Sequence, residues 1–232
     1  RRQRQMCIRD SATTQRYYRF QNYAVEEIDS DGKNLAMYLY NLDKESLDNF
    51  KNWTRKLFNF EVEVSSVNGN MELIITEKGK EKHNMVDVGF GYTQILPILA
   101  IIWKTLYKNF TITNYSRTTG WNQYMIAIEQ PELHLHPRLQ GLFASMLVTV
   151  IKEAKEQGRD IRFIIETHSE IMISRIGQMI ATHEFSNEDI NVYIFNAANE
   201  GMQNYIEKSY YSEDGQLINW PYGFFSDYVF ED

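Results

Sequence analysis

Met125-Ile126-Ala127-Ile128-Glu129-Gln130-Pro131-Glu132 is the stretch on which the fold turns. Four apolar residues in succession, with no polar alternation, suit a strand buried on both faces, as in a parallel sheet covered by helices. An acid, Glu129, closes the run at its carboxyl end, where open α/β sheets collect their ligands. A carboxylate there suits the water shell of a Mg²⁺ ion that neutralises nucleotide phosphates. An apolar run ending in Glu is common by itself, so specificity has to come from its neighbours.

Leu133-His134-Leu135-His136-Pro137 follows at once, and a second apolar run, Phe163-Ile164-Ile165, ends in Glu166-Thr167-His168-Ser169. Strand patterns over 124–128, 161–165 and 192–196 alternate with helical patterns over 137–156 and 170–181. That order predicts an α/β domain with a mainly parallel sheet flanked by helices. The tail, 203–211 and 217 onward, reads as an edge strand and an aromatic-rich loop.

Upstream, Asp87-Val88-Gly89-Phe90-Gly91-Tyr92-Thr93-Gln94 opens an apolar helix reaching about residue 108, followed by a polar loop over 111–122. Glycines ahead of a helix let backbone N–H groups approach an anion, and Thr93 adds a hydroxyl donor. Earlier still, Leu35, Tyr38, Leu39, Leu42, Leu47, Phe50, Trp53 and Leu57 recur at helical spacing. Leu42-Asp43-Lys44 breaks the pattern into two helices or one bent helix, with Asp43 or Ser46 as the cap of the second. Two strand-like runs, 60–67 and 71–76, flank Asn68-Gly69-Asn70, a hairpin turn signal.

Composition narrows the partners. The 232 residues carry a net charge of −7, and the first ten hold four Arg against one Asp, so the rest is more acidic still. Such a body offers no general electrostatic footprint for nucleic acid. A single cysteine, Cys7, excludes an internal disulfide and a cysteine metal cage. No apolar run is long enough for a membrane span and no signal-peptide pattern is present, so the expected location is the cytoplasm. The opening, residues 1–11, lacks helical or strand periodicity and reads as an adaptor-like, non-native leader, the alternative being a basic arm.

The three motif segments together resemble ABC-type ATPases of the SMC and overcoming-lysogenisation-defect kind, bacterial AAA-family proteins common in phage defence. Within them the chain is similar to a subgroup with a late Trp-Pro-x-Gly-Phe-Phe, here Trp220-Pro221-Tyr222-Gly223-Phe224-Phe225. The resemblance implies the C-terminal half of a P-loop NTPase of ABC type: a helical and hairpin part of the signature lobe over 12–85, the ATPase half over 86–198, and an edge strand with aromatic tail over 199–232. It implies ATP and Mg²⁺ as cofactors. Gly89, Phe90, Gly91, Tyr92, Thr93 and Gln94 would form the signature segment, facing ATP on the opposite subunit of a homodimer. Glu129 would be the Walker B metal acid, His134 to His136 the D-loop at the dimer seam, and His168 the switch histidine that senses the γ-phosphate. An effector nuclease or toxin is the partner such systems imply.

Two departures from the family pattern stand out. No Gly-x-x-x-x-Gly-Lys-Ser/Thr occurs among the 232 residues, so the Walker A lysine is missing, as N-terminal truncation would explain. The position of the catalytic glutamate holds Gln130, whose amide can orient a water but cannot take its proton; Glu132 is then the substitute base. Two other functions remain open at this point. His134, His136 and His168 could hold a transition metal for hydrolysis, although Pro137 after His136 equally suits the first position of a helix. The chain could also be a non-hydrolysing, ATP-gated interaction module presenting its aromatic tail.

Overall fold

The computed structural model describes residues 4–8, 27–29, 32–67, 70–85, 87–88, 90–107, 122–196 and 205–221. The chain divides into two compact units, Arg1–His168 and Ser169–Asp232. The division falls just past the end of the second motif strand, and the tail strand pairs with 192–196 within the second unit.

In the first unit, β1 (Arg4–Ile8), β5 (Asn122–Glu129) and β6 (Arg159–Glu166) form a parallel sheet in the order β1-β5-β6. The expected α/β class with a parallel sheet and covering helices is therefore observed. Within the opening residues, whose sequence shows no strand periodicity, Arg4 to Ile8 pair in register with Tyr124 to Ile128. The rest of the unit comprises α1 (Leu35–Tyr40), α2 (Lys44–Phe58), β2 (Phe60–Val67), β3 (Asn70–Glu77), β4 (Lys82–Asn84), α3 (Phe90–Tyr107) and α4 (Pro137–Glu156).

The break between α1 and α2 has a local cause. Asp43 is in extended backbone conformation and caps α2, its carboxylate accepting from the Ser46 N–H at 2.8 Å and from the Ser46 hydroxyl at 2.6 Å. α2 then lies along the antiparallel sheet β2-β3-β4, joined to it by Lys51–Glu63 (2.6 Å) and Arg55–Glu61 (2.5 Å), while Lys82 of β4 reaches Glu63 at 2.6 Å. The register Val67↔Asn70 is that of a tight hairpin; Asn68 and Gly69, the expected turn pair, lie outside the described residues.

α3 is the core of the unit. Every residue from Tyr92 to Leu106 is buried, as befits a helix apolar on all sides. Trp103 meets Phe50 of α2 edge-on at 5.2 Å and donates from its indole N–H to Asn49 at 2.7 Å. At its far end, Tyr107 donates to Glu153 of α4 (2.8 Å), and Arg159 at the start of β6 donates to the Thr105 carbonyl (2.8 Å). These bonds set α3 against the sheet and so fix where its first turn lies.

The second unit holds α5 (Glu170–Ala181), a 3₁₀ turn (Asn187–Asp189), β7 (Val192–Asn196), β8 (Tyr205–Tyr211) and β9 (Leu217–Ile218). β7 was expected to extend the parallel sheet; it pairs antiparallel with β8 in a separate three-stranded sheet. One face of that sheet meets α5, where the Tyr211 hydroxyl donates to the Ile173 carbonyl at 2.9 Å. Gly177 of α5 packs so closely on Gly215 that a side chain at either would meet the other's carbonyl oxygen. Tyr193, Phe195, Ile206 and Tyr210 on the other face are exposed.

Candidate functional site

The pairing register of β5 and β6 places Glu129 opposite Glu166, so both strands end at the same level and both carboxylates are exposed. The final rung is the Gln130 N–H to the Glu166 carbonyl at 2.8 Å. Past it the chain turns sharply. Gln130 (φ 45°) and His134 (φ 59°) are both left-handed, a conformation non-glycine residues adopt only at a cost of order 1 kcal/mol or more. Between them two tight turns close, Leu133 N–H to the Gln130 carbonyl (3.2 Å) and Leu135 N–H to the Glu132 carbonyl (3.0 Å). Strain concentrated in one short loop at the carboxyl edge of a parallel sheet marks that loop as a place selected for something other than stability.

Three sets of contacts hold the loop. Both oxygens of the Glu132 carboxylate are engaged: Thr167 Oγ1 donates to Oε2 at 2.8 Å and the His168 backbone N–H donates to Oε1 at 2.6 Å. From α3, Gln94 Nε2 donates to the Gln130 carbonyl at 3.4 Å. Gly91, in the first turn of α3, lies against the His134 backbone, where a Cβ would be 2.9 Å from the carbonyl oxygen. The loop after β5 is thus the junction of the α3 start and the β6 end.

Each sequence-predicted residue can now be placed. Glu129 and Gln130 stand at the end of β5, Glu132 within the loop, and His168 two residues past β6, all in one neighbourhood. α3 begins at Phe90, so Gly91 is inside the helix and not in a turn ahead of it. Gly89 and the side chain of Phe90 lie outside the described residues. Tyr92, Thr93 and Gln94, which the resemblance places in the signature segment, are buried at 9%, 6% and 8% exposure. Tyr92 packs edge-on against Phe60 at 5.1 Å; burial first, and Glu77 beside it second, push its phenol above the ordinary range, so it stays neutral. The physical reason is the all-round burial of α3, which turns its first-turn side chains into the protein.

His136 is the N-cap of α4, its Nδ1 accepting from the Arg138 N–H at 3.2 Å, with Pro137 at the first helical position. His134 is exposed in the loop. Among the described residues no three His, Cys, Asp or Glu side chains gather to hold a metal ion, which removes the basis for a His134/His136/His168 centre. An exposed Glu129 without a surrounding cage fits a different cation chemistry, that of a Mg²⁺ held by one carboxylate, water and phosphate oxygens. Sequence reasoning missed Glu166 and Thr167 as members of the site; only the β5–β6 register could have brought them to Glu129 and Glu132.

The AAA ATPase domain family model matches residues 8–173, well over half of the chain and the whole of this site. The chain belongs to that family. Solved structures similar to this AAA ATPase domain include an SMC ATPase described for ATP-driven dimerization and DNA-stimulated activation, 14% identical with a TM-score of 0.43 over 69% of this chain and 81% of that one. The Smc head domain of Pyrococcus yayanosii is 12% identical with a TM-score of 0.45 over 80% of this chain, and that of Pyrococcus furiosus 10% identical with 0.43 over 77%. The AAA ATPase domain spans 29% and 37% of those two chains. These likenesses are too distant to bear on function. None of the curated proteins compared matches significantly. No helix among the described residues is long and apolar enough to cross a membrane.

Proposed function

We propose that this AAA ATPase domain is the signature and Walker B half of an ABC-type ATPase, and that it binds and hydrolyses ATP when a P-loop is supplied by sequence outside these residues. The observation that carries the reading is the meeting of Glu129, Gln130, Glu132 and His168 at the carboxyl ends of two parallel strands, in a strained loop. In this reading Glu129 holds the water shell of the Mg²⁺ that neutralises the phosphates. Gln130 orients the attacking water through its amide without accepting its proton, which makes turnover slow. His168 stands where it senses the terminal phosphate. The homodimer, cytoplasmic location and service in a bacterial defence or DNA-associated system come with the motif resemblance, as does an effector nuclease or toxin.

The test is ATP turnover in the protein carrying its P-loop segment. Glu129→Gln is expected to lower kcat by about 10²-fold or more, since the metal's charge stabilisation depends on that carboxylate. Gln130→Glu is expected to raise turnover by supplying the absent base. Unchanged turnover in Glu129→Gln would remove this loop from the chemistry.

A further inference from the structure

With Glu129 assigned to the metal, Glu132 is the next acid along the chain from Gln130, and a site lacking a base invites assigning it that task. Its surroundings argue otherwise. Each oxygen already accepts from a donor of the same chain, Thr167 Oγ1 at 2.8 Å and the His168 N–H at 2.6 Å. Those donors sit just beyond the last ladder rung, the Gln130 N–H to the Glu166 carbonyl, where no strand pairing holds the chain any longer. Charge-assisted bonds of this length are the strong kind, and here they replace the missing ladder. The Glu132 backbone is itself set by the Leu135 N–H, and the loop is set from α3 by Gln94 and by the Gly91–His134 approach.

We propose that Glu132 is a positioning residue: its carboxylate holds the Thr167–His168 turn at the level of Glu129 and ties the placement of His168 to the first turn of α3. This rests on the ATPase reading for the role of His168, but the hold on the turn does not depend on it. A carboxylate accepts charge-assisted bonds from both donors, a hydroxyl and a backbone amide, whereas a glutamine could keep the Thr167 contact only by reversing it, its amide donating to the hydroxyl oxygen in a neutral, weaker bond. A glutamine presents one acceptor oxygen and two donor hydrogens, and so cannot serve both in the same way.

Two measurements decide. In the 232-residue chain, amide hydrogen exchange at His168 is expected to be slow, and to accelerate about 10-fold or more in Glu132→Gln with the β5 and β6 amides unchanged. Equal exchange in both would overturn the hold. In the protein with its P-loop segment, Glu132→Gln is expected to lower kcat by about 10-fold or more while leaving the KM for ATP within about 2-fold. Thr167→Val, which removes one donor and keeps the shape, is expected to lower kcat in the same direction by less. In a His168→Ala background Glu132→Gln is expected to cost under about 2-fold more, because the two residues act as one. If Glu132→Gln costs its full factor again in that background and Thr167→Val leaves kcat unchanged, Glu132 is the proton acceptor and the proposal falls. If the wild-type protein hydrolyses no ATP, the ATPase reading falls with the role of His168, while slow exchange at His168 would still uphold the carboxylate's hold on the turn.

Discussion

Gly91 has a packing reason to be glycine that its sequence context does not show. A glycine near a helix start beside an acidic strand end suggests a backbone opened to an anion. The structure puts it within α3, against the His134 carbonyl. Two effects oppose each other on substitution. Alanine in place of glycine in a helix gains up to about 1 kcal/mol from propensity. A Cβ 2.9 Å from a backbone oxygen and 3.3 Å from Leu135 Cδ2 forces α3 or a loop already strained at two residues to move, an overpacking cost of about 1–3 kcal/mol. The clash wins, so Gly91→Ala is expected to destabilise the chain by about 1–2 kcal/mol net in chemical denaturation. A gain in stability would show that the loop yields freely. Loss of function at Gly91 therefore reports on the fit of α3 to the loop before it reports on any phosphate.

Whole elements were legible where local chemistry decides them. Of the two caps the sequence offers for α2, Asp43 and Ser46, Asp43 is the one observed, and Asp43→Ala is expected to cost about 1 kcal/mol, read by thermal or denaturant unfolding. The motif helices α4 and α5 begin and end where the pattern places them. What pattern could not supply was partnership: β7 carries the same apolar signature as β6 yet joins an antiparallel sheet, because periodicity reports burial and not which neighbour provides it. The ion pairs between α2 and β2 were equally invisible, and they have a pH signature. The Lys51 hydrogen bond first, and that of Lys82 second, hold the Glu63 carboxyl below its ordinary range. A lowered folded value means the contribution is complete above the ordinary glutamate range and is lost as pH falls through the depressed one. Glu63→Gln is expected to melt below the wild type at neutral pH, with the gap closing as the solution is acidified past that range; a gap independent of pH would assign the loss to packing.

At the scale of the molecule, the candidate site is built from pieces far apart in sequence, and the sequence named most of the pieces without their joints. Glu129, Gln130 and His168 were each visible as motif residues; that Glu132 binds the turn bearing His168 depends on the parallel register, which no local pattern encodes. The same separation of pieces governs nucleotide binding. Most of the affinity for a triphosphate comes from a ring of backbone amides and a lysine around its β and γ phosphates, and none of the 232 residues forms the glycine-lysine motif that provides one. What the described edge offers instead is two exposed carboxylates, Glu129 and Glu166, and a loop whose polar contacts are largely satisfied within the chain. An acidic chain of net charge −7 adds repulsion toward a polyanion. The 232 residues alone are therefore expected to show no ATP binding below about 1 mM by isothermal titration, a limit equivalent to about 4 kcal/mol of binding free energy. The same residues joined to a P-loop segment are expected to bind in the micromolar range and to lose that binding when the P-loop lysine is replaced. A micromolar dissociation constant for the 232 residues by themselves would mean that the phosphates are held by groups not recognised in this sequence, and the half-site reading would have to be abandoned.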